Sequence, residues 1–142
     1  MTPQWKARLI ALLVGFVAGL AAALFFGGLP SASLRGGTYY TLFTYPAGGA
    51  LAGFLSAWGA IRWRGTAAII LVVVLSSLVG AIISVPVSLF LVCYYWGNSN
   101  MGCSGLFTLR LVAEMPFVWI LLAIVTTILA LLARRIAGPA SP

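Results

Sequence analysis

The sequence predicts an all-α integral membrane protein, a four-helix transmembrane bundle with its N-terminus and C-terminus both in the cytoplasm. Apolar residues make up 63% of the chain and charged residues only 6%, whereas about a quarter of the residues in a soluble domain are charged. Four apolar runs have the roughly 20 residues that a helix needs to cross the hydrocarbon core of a bilayer. Residues 1–142 are therefore expected to form one transmembrane domain in contact with lipid.

The distribution of basic residues predicts the orientation of this bundle. The net charge is +7, because eight lysine and arginine residues stand against one acid, Glu114. Six basic residues flank the runs on one side of the membrane: Lys6, Arg8, Arg62, Arg64, Arg134 and Arg135. The other two are Arg35 and Arg110. Because lysine and arginine concentrate on the cytoplasmic side of membrane proteins, the first side is predicted to face the cytoplasm, and the membrane to be a bacterial inner membrane.

The first predicted span covers residues 9–29. Small residues recur at every fourth position along it: Ala11, Gly15, Gly19, Ala23 and Gly27. This spacing places them on one face of a helix. The small residues at 31–33 would suit a signal peptidase, but the apolar run is longer than the roughly 7 to 15 residues of a signal core. We therefore expect a helix that is retained.

The second predicted span covers residues 39–61. Tyrosines at its start and Trp58 near its end are typical of side chains at the two membrane interfaces. Pro46, Gly48 and Gly49 predict a kink or a short break, because proline removes a backbone donor and glycine weakens a helix. Gly49 and Gly53 also continue the four-residue spacing of small side chains.

The third and fourth predicted spans cover residues 67–93 and 114–133. The third would be ~39 Å long if straight, more than the ~30 Å hydrocarbon core, so tilt and a kink at Pro86 are expected. The third span also has a row of small residues at every fourth position: Ser76, Gly80, Ser84 and Ser88. Residues 97–105 are rich in glycine and asparagine and predict a turn-rich loop.

The rows of small residues are typical of helices whose backbones approach closely in lipid. They are consistent with packing inside the bundle or with docking of another protein or a second copy. The candidate residues for either contact are Gly15, Gly19, Ala23, Gly49, Gly53 and Gly80.

The predicted outer side carries two further candidate sites. Arg110 and Glu114 are four residues apart and share one helix face, so they predict either an interfacial ion pair or a gate or ligand contact. Cys93 and Cys103 lie on the same side, where a bacterial protein meets an oxidising compartment. They predict a disulfide, and the alternative is a pair of free cysteines acting as small hydrophobes.

The composition argues against catalytic and metal chemistry. The chain has no histidine, which removes imidazole bases and ligands, and two cysteines are too few for a thiolate cage. A coupled transporter usually needs a carboxylate near the midplane, whereas Glu114 is predicted near the outer surface. We therefore expect no enzyme activity, no catalytic residue, no cofactor, no metal and no nucleic-acid partner.

Two classes of function remain. The leading hypothesis is a protein that acts by interaction with another membrane protein or with itself. It could be an accessory subunit, an assembly factor or an immunity protein that protects against a membrane-acting toxin. The alternative is a component of a channel or small transporter, built on carbonyls freed by a broken second helix and on the outer Glu114.

Reporter fusions test the predicted orientation. A fusion at residue 64 should be active only with a cytoplasmic reporter and a fusion at residue 99 only with an external one, because the basic residues hold their side in the cytoplasm. The reverse result would discard the orientation.

Overall fold

The computed structural model describes residues 2–27, 37–63, 65–96 and 100–137. Each of these segments is almost entirely helical, and none contains a strand. This confirms the predicted all-α class. The remaining positions are 1, 28–36, 64, 97–99 and 138–142, and the predictions that rest on them lie outside the described residues.

The helices follow the predicted order. Helix α1 spans Pro3–Gly27 and α2 spans Gly37–Arg62. The next segment consists of α3, a π-helical turn and α4, which span Thr66–Ile82, Ile83–Val87 and Ser88–Trp96. The last helix, α5, spans Asn100–Ala137.

Three stretches are long and apolar enough to span a membrane: Pro3–Phe26, Thr66–Tyr95 and Thr108–Ala137. In the described part of the chain, α2 is not among them. Its position explains this difference, because α2 contacts α1, α3 and α5 and most of its residues from 41 to 60 are buried. Side chains that face other helices are shielded from lipid and can be small or polar.

Helices α1 and α2 pack backbone against backbone. A Cβ atom added to Gly15 would overlap the carbonyl oxygen of Gly49, and one added to Gly53 would overlap that of Ala11. A Cβ on Gly19 would come within 2.8 Å of the Pro46 Cα atom. The small-residue rows of the two helices therefore face each other.

The row on α3 packs against a neighbouring face of α2. A Cβ atom on Gly80 would lie 2.8 Å from the carbonyl oxygen of Gly48 and 2.8 Å from the Cβ of Ala52. On α1, Ala23 is buried in a cluster that includes Tyr45. All six candidate contact residues are thus buried within the chain, and a surface for another protein has to lie elsewhere.

Helix α2 is continuous through Pro46, so of the two predicted alternatives, a kink or a short break, the break is wrong. Pro46, Gly48 and Gly49 are all buried, and the two glycines lie against α3 and α1 respectively. These tertiary contacts outweigh the low intrinsic helix propensity of proline and glycine. At Pro86, by contrast, the predicted irregularity is present as the π-helical turn, a known cause of helix kinks.

The loop predicted for residues 97–105 is wrong from residue 100 onward. Helix α5 begins at Asn100 and continues through Pro116, well before the predicted start at 114. The low helix propensity of glycine and asparagine is a weak signal that tertiary contacts can override. Here the contact is that of Cys103 with Cys93, which lie at disulfide distance.

The clusters of buried side chains show which helix ends lie together. One cluster contains Ala7, Ala57 and Ala133, which join the start of α1 to the ends of α2 and α5. This end carries Lys6, Arg8, Arg62, Arg134 and Arg135, and we call it the basic end. Here Arg134 donates from Nε to the carbonyl of Ala60 over 2.9 Å and from Nη2 to that of Trp63 over 2.6 Å.

The close contact between α1 and α2 makes Gly15→Ala destabilising. A Cβ atom there collides with backbone, which has no rotamer to change, and we expect a loss of about 1 to 3 kcal/mol. The measurement is the midpoint of thermal unfolding in detergent, followed by helical circular dichroism.

The matched control is Gly105→Ala in α5, where an added Cβ meets nothing within 4 Å. This substitution should leave the midpoint unchanged or raise it slightly, because alanine favours helix over glycine by about 1 kcal/mol. Equal midpoints for the two variants would contradict the packing described here.

Candidate functional site

The only acidic side chain of the sequence lies in a polar cluster between α2 and α5. The hydroxyl of Tyr45 donates to Glu114 Oε2 over 3.0 Å, and Arg110 Nε lies 3.2 Å from Glu114 Oε1. Tyr45 is only 1% exposed. The Arg110 and Glu114 side chains are 21% and 18% exposed. Both carboxylate oxygens therefore have a partner within the chain.

The sequence predicted the pair of Arg110 and Glu114 but not the third member, Tyr45. One signal was present, because a buried tyrosine hydroxyl usually finds a hydrogen-bond partner and Glu114 is the only acid. The cluster fixes α2 to α5 in the half of the molecule away from the basic end. Because Glu114 is held on both oxygens, its contacts favour an anchoring role over a ligand contact.

Cys93 and Cys103 lie at disulfide distance, with Cα atoms 5.8 Å apart. Cys93 belongs to α4 and Cys103 to the first turns of α5. The pair agrees with the predicted disulfide, but it joins two helices rather than closing a flexible loop. Such a crosslink restrains α4 relative to α5.

An aromatic surface lies next to Cys93 in α4. We define it by four rings, those of Tyr40, Phe90, Tyr94 and Tyr95. The ring centroids of Phe90 and Tyr94 are 5.9 Å apart, and those of Tyr94 and Tyr95 are 5.0 Å apart. Tyr40 of α2 stacks on Tyr95 at 6.3 Å. Phe90, Tyr94 and Tyr95 are 60%, 72% and 67% exposed. The four rings thus form one continuous surface, of which the three rings of α4 are exposed.

The hydroxyl groups between the helices are occupied inside the chain. Ser56, Ser84 and Thr126 each donate to a carbonyl of their own helix. Trp119 Nε1 of α5 donates to Ser77 Oγ of α3 over 3.0 Å. The bond from Trp119 links two helices, and the other bonds satisfy hydroxyl groups at nearby carbonyls. These hydroxyl groups therefore have a structural role.

No known protein family, curated protein or solved structure matches the chain. Its function must therefore be inferred from its own contacts. Among the described residues, the features that remain unexplained by folding alone are the aromatic surface and the charge of the basic end.

The cluster predicts an energetic coupling between Tyr45 and Glu114. Tyr45→Phe leaves a half-buried carboxylate oxygen without its donor, which should cost about 1 to 3 kcal/mol of stability. Glu114→Gln should be destabilising as well, because it removes the partner of Arg110. Thermal unfolding of both single variants and the double variant should give a coupling energy of about 1 kcal/mol.

Tyr94→Phe is the control, since Tyr94 is 72% exposed and its ring stacking does not require the hydroxyl. This variant should unfold at the temperature of the unmodified protein. Strictly additive effects of Tyr45→Phe and Glu114→Gln would show that the hydrogen bond has no energetic weight.

Proposed function

We propose that the protein is a small multi-pass protein of the bacterial inner membrane that acts by protein–protein interaction, through its aromatic surface. The partner is another integral membrane protein or a second copy of the chain. We further propose that all four helical segments cross the membrane and that the basic end faces the cytoplasm.

Two observations support this arrangement in the membrane. Helix α2 is packed along its length against α1, α3 and α5, so it lies within the layer that its three apolar neighbours occupy. The described basic residues apart from Arg110 lie at one end, as expected for the cytoplasmic side. The aromatic surface then faces the opposite compartment.

The observation that carries the proposed interaction is the exposure of adjacent tyrosines on a crosslinked helix. Tyr94 and Tyr95 present large amphipathic rings whose fixation costs little side-chain entropy, which is why tyrosine is enriched in protein interfaces. Cys93 directly precedes Tyr94 in the sequence, and its pairing with Cys103 joins this part of α4 to α5. A restrained surface loses less freedom on binding than a mobile one.

The interior offers less support for the alternative, a component of a channel or transporter. Helix α2 has no break, so its carbonyls are not freed to line a path. Glu114 remains the only acid, but Tyr45 and Arg110 occupy both its oxygens. An ion path through this point would have to displace both partners.

Several biological roles fit an interaction of this kind. The protein could be an accessory subunit or an assembly factor of a membrane complex. It could also be an immunity protein, which would meet a membrane-acting toxin on the side opposite the basic end. Each role requires a specific partner at the aromatic surface, and that requirement can be tested.

Site-specific photocrosslinking tests the interaction. A photoreactive phenylalanine analogue placed at Tyr94 should form an adduct in native membranes, identified by mass spectrometry as a second copy or as one integral membrane protein. Tyr95→Ala on the same chain should lower the adduct yield about tenfold or more, the effect of losing a central interface residue worth over 1 kcal/mol.

The control places the analogue at Phe117 on α5, a ring of similar exposure to Tyr94, 66% against 72%. This position should give only lipid or scattered adducts. Equal yields at 94 and 117, or a yield at 94 that Tyr95→Ala does not change, would rule out the aromatic surface as the interface. A loss of ion flux in Glu114→Gln with unchanged crosslinking would favour transport instead.

A further inference from the structure

An apolar groove lies between α2 and α3 at the half of the molecule nearer the basic end. Its walls are formed by Leu55 and Trp58 of α2, by Trp63 just after α2, and by Val72, Leu75 and Val79 of α3. The groove has a volume of about 140 Å³ and is open to the outside of the molecule. Ser76 also lines it, but its hydroxyl donates to the carbonyl of Val73 in its own helix.

A guanidinium group stands at the basic end of this groove. Arg62, the last residue of α2, lies with its Cζ 5.9 Å from the ring centroid of Trp58. Trp58 packs in turn against Trp63, with ring centroids 6.0 Å apart. The groove is thus apolar along its length and cationic at its mouth.

The positive charge at this mouth has no acidic side chain to pair with. The sequence contains one acid, and that acid, Glu114, is bound to Arg110 and Tyr45 away from the basic end. Arg134 is already engaged with two carbonyls. Arg62 is exposed, so its guanidinium group can pair with an anionic group from outside the chain.

The groove is short enough to lie within one leaflet of a bilayer. The α3 residues that line it, Val72 to Val79, cover seven helical steps, which correspond to ~10 Å. One leaflet contributes about half of a hydrocarbon core of ~30 Å. An occupant of the groove would therefore be an apolar chain from a single leaflet, with its polar group at the level of Arg62.

We propose that this groove binds one acyl chain of an anionic phospholipid, whose headgroup phosphate pairs with Arg62. The chain lies against the two tryptophans and the α3 wall. The phosphate supplies the counter-charge that the basic end lacks, as anionic headgroups do at basic pockets between membrane helices. This lipid site is separate from the aromatic surface, which lies at the opposite end of the molecule.

Native mass spectrometry tests the lipid site. The purified protein is mixed in neutral detergent with phosphatidylglycerol or with phosphatidylcholine of identical acyl chains, and the fraction that carries one lipid is measured. The unmodified protein should retain phosphatidylglycerol preferentially. Arg62→Gln should lower this retention about fivefold, the effect expected for one basic residue at an anionic surface.

The matched control is Arg135→Gln, which removes an equal charge from an exposed position of α5 at the same end. It should change retention by less than about twofold, because Arg62 lies against the groove-lining Trp58, whereas an exposed charge farther from the bound headgroup is screened by salt. Val79→Trp fills the groove and should lower retention of both lipids, and an unchanged unfolding midpoint shows that this variant is folded. An excess of inorganic phosphate should not displace the lipid, since the acyl chain holds it.

Equal retention of the two lipids by the unmodified protein would overturn the proposed site. So would equal losses in Arg62→Gln and Arg135→Gln, because the binding would then follow overall charge rather than the groove. If Val79→Trp does not fold, the comparison of the two arginine variants decides the question alone.

Discussion

The contact between α1 and α2 is the constraint on which the rest of the molecule depends. At Gly15, Gly19 and Gly53 the two backbones approach so closely that no side chain fits between them. This approach brings α2 into the centre of the molecule, where α3 and α5 cover its remaining faces. In lipid, where apolar surface gains nothing from leaving the solvent, such close van der Waals packing is a main source of helix association.

The two ends of the molecule differ in charge and in chemistry. The basic end carries Arg62 and Arg134, and the open groove lined by two tryptophans lies next to it. The opposite end has a neutralised acid, a crosslink and exposed tyrosines. Between them the hydroxyl groups are satisfied within the helices. The chemically distinctive groups therefore lie in the two halves of the molecule, on either side of the closely packed middle of the helices.

The sequence predicted the helical class, three of the spans and the faces that pack, because apolar length and the spacing of small residues are local properties. It did not decide between a kink and a break of α2 at Pro46, and it did not predict that α5 starts at Asn100, because tertiary contacts there override local propensity. The bond from Tyr45 to Glu114 joins residues 69 positions apart. Such a pair depends on the register of α2 against α5, which no local pattern contains.

The bond between Arg134 and the end of α2 has a consequence for biogenesis. Helix α2 is not among the stretches apolar enough to span a membrane, and the carbonyls of Ala60 in its last turn and of Trp63 just after it accept hydrogen bonds from a residue near the end of α5. A ribosome delivers α2 long before it delivers Arg134. During synthesis, the carbonyls of Ala60 and Trp63 therefore lack these donors until α5 has been made. A nascent chain that stops before residue 134 leaves the end of α2 uncapped, and such a chain is exposed to cellular quality control.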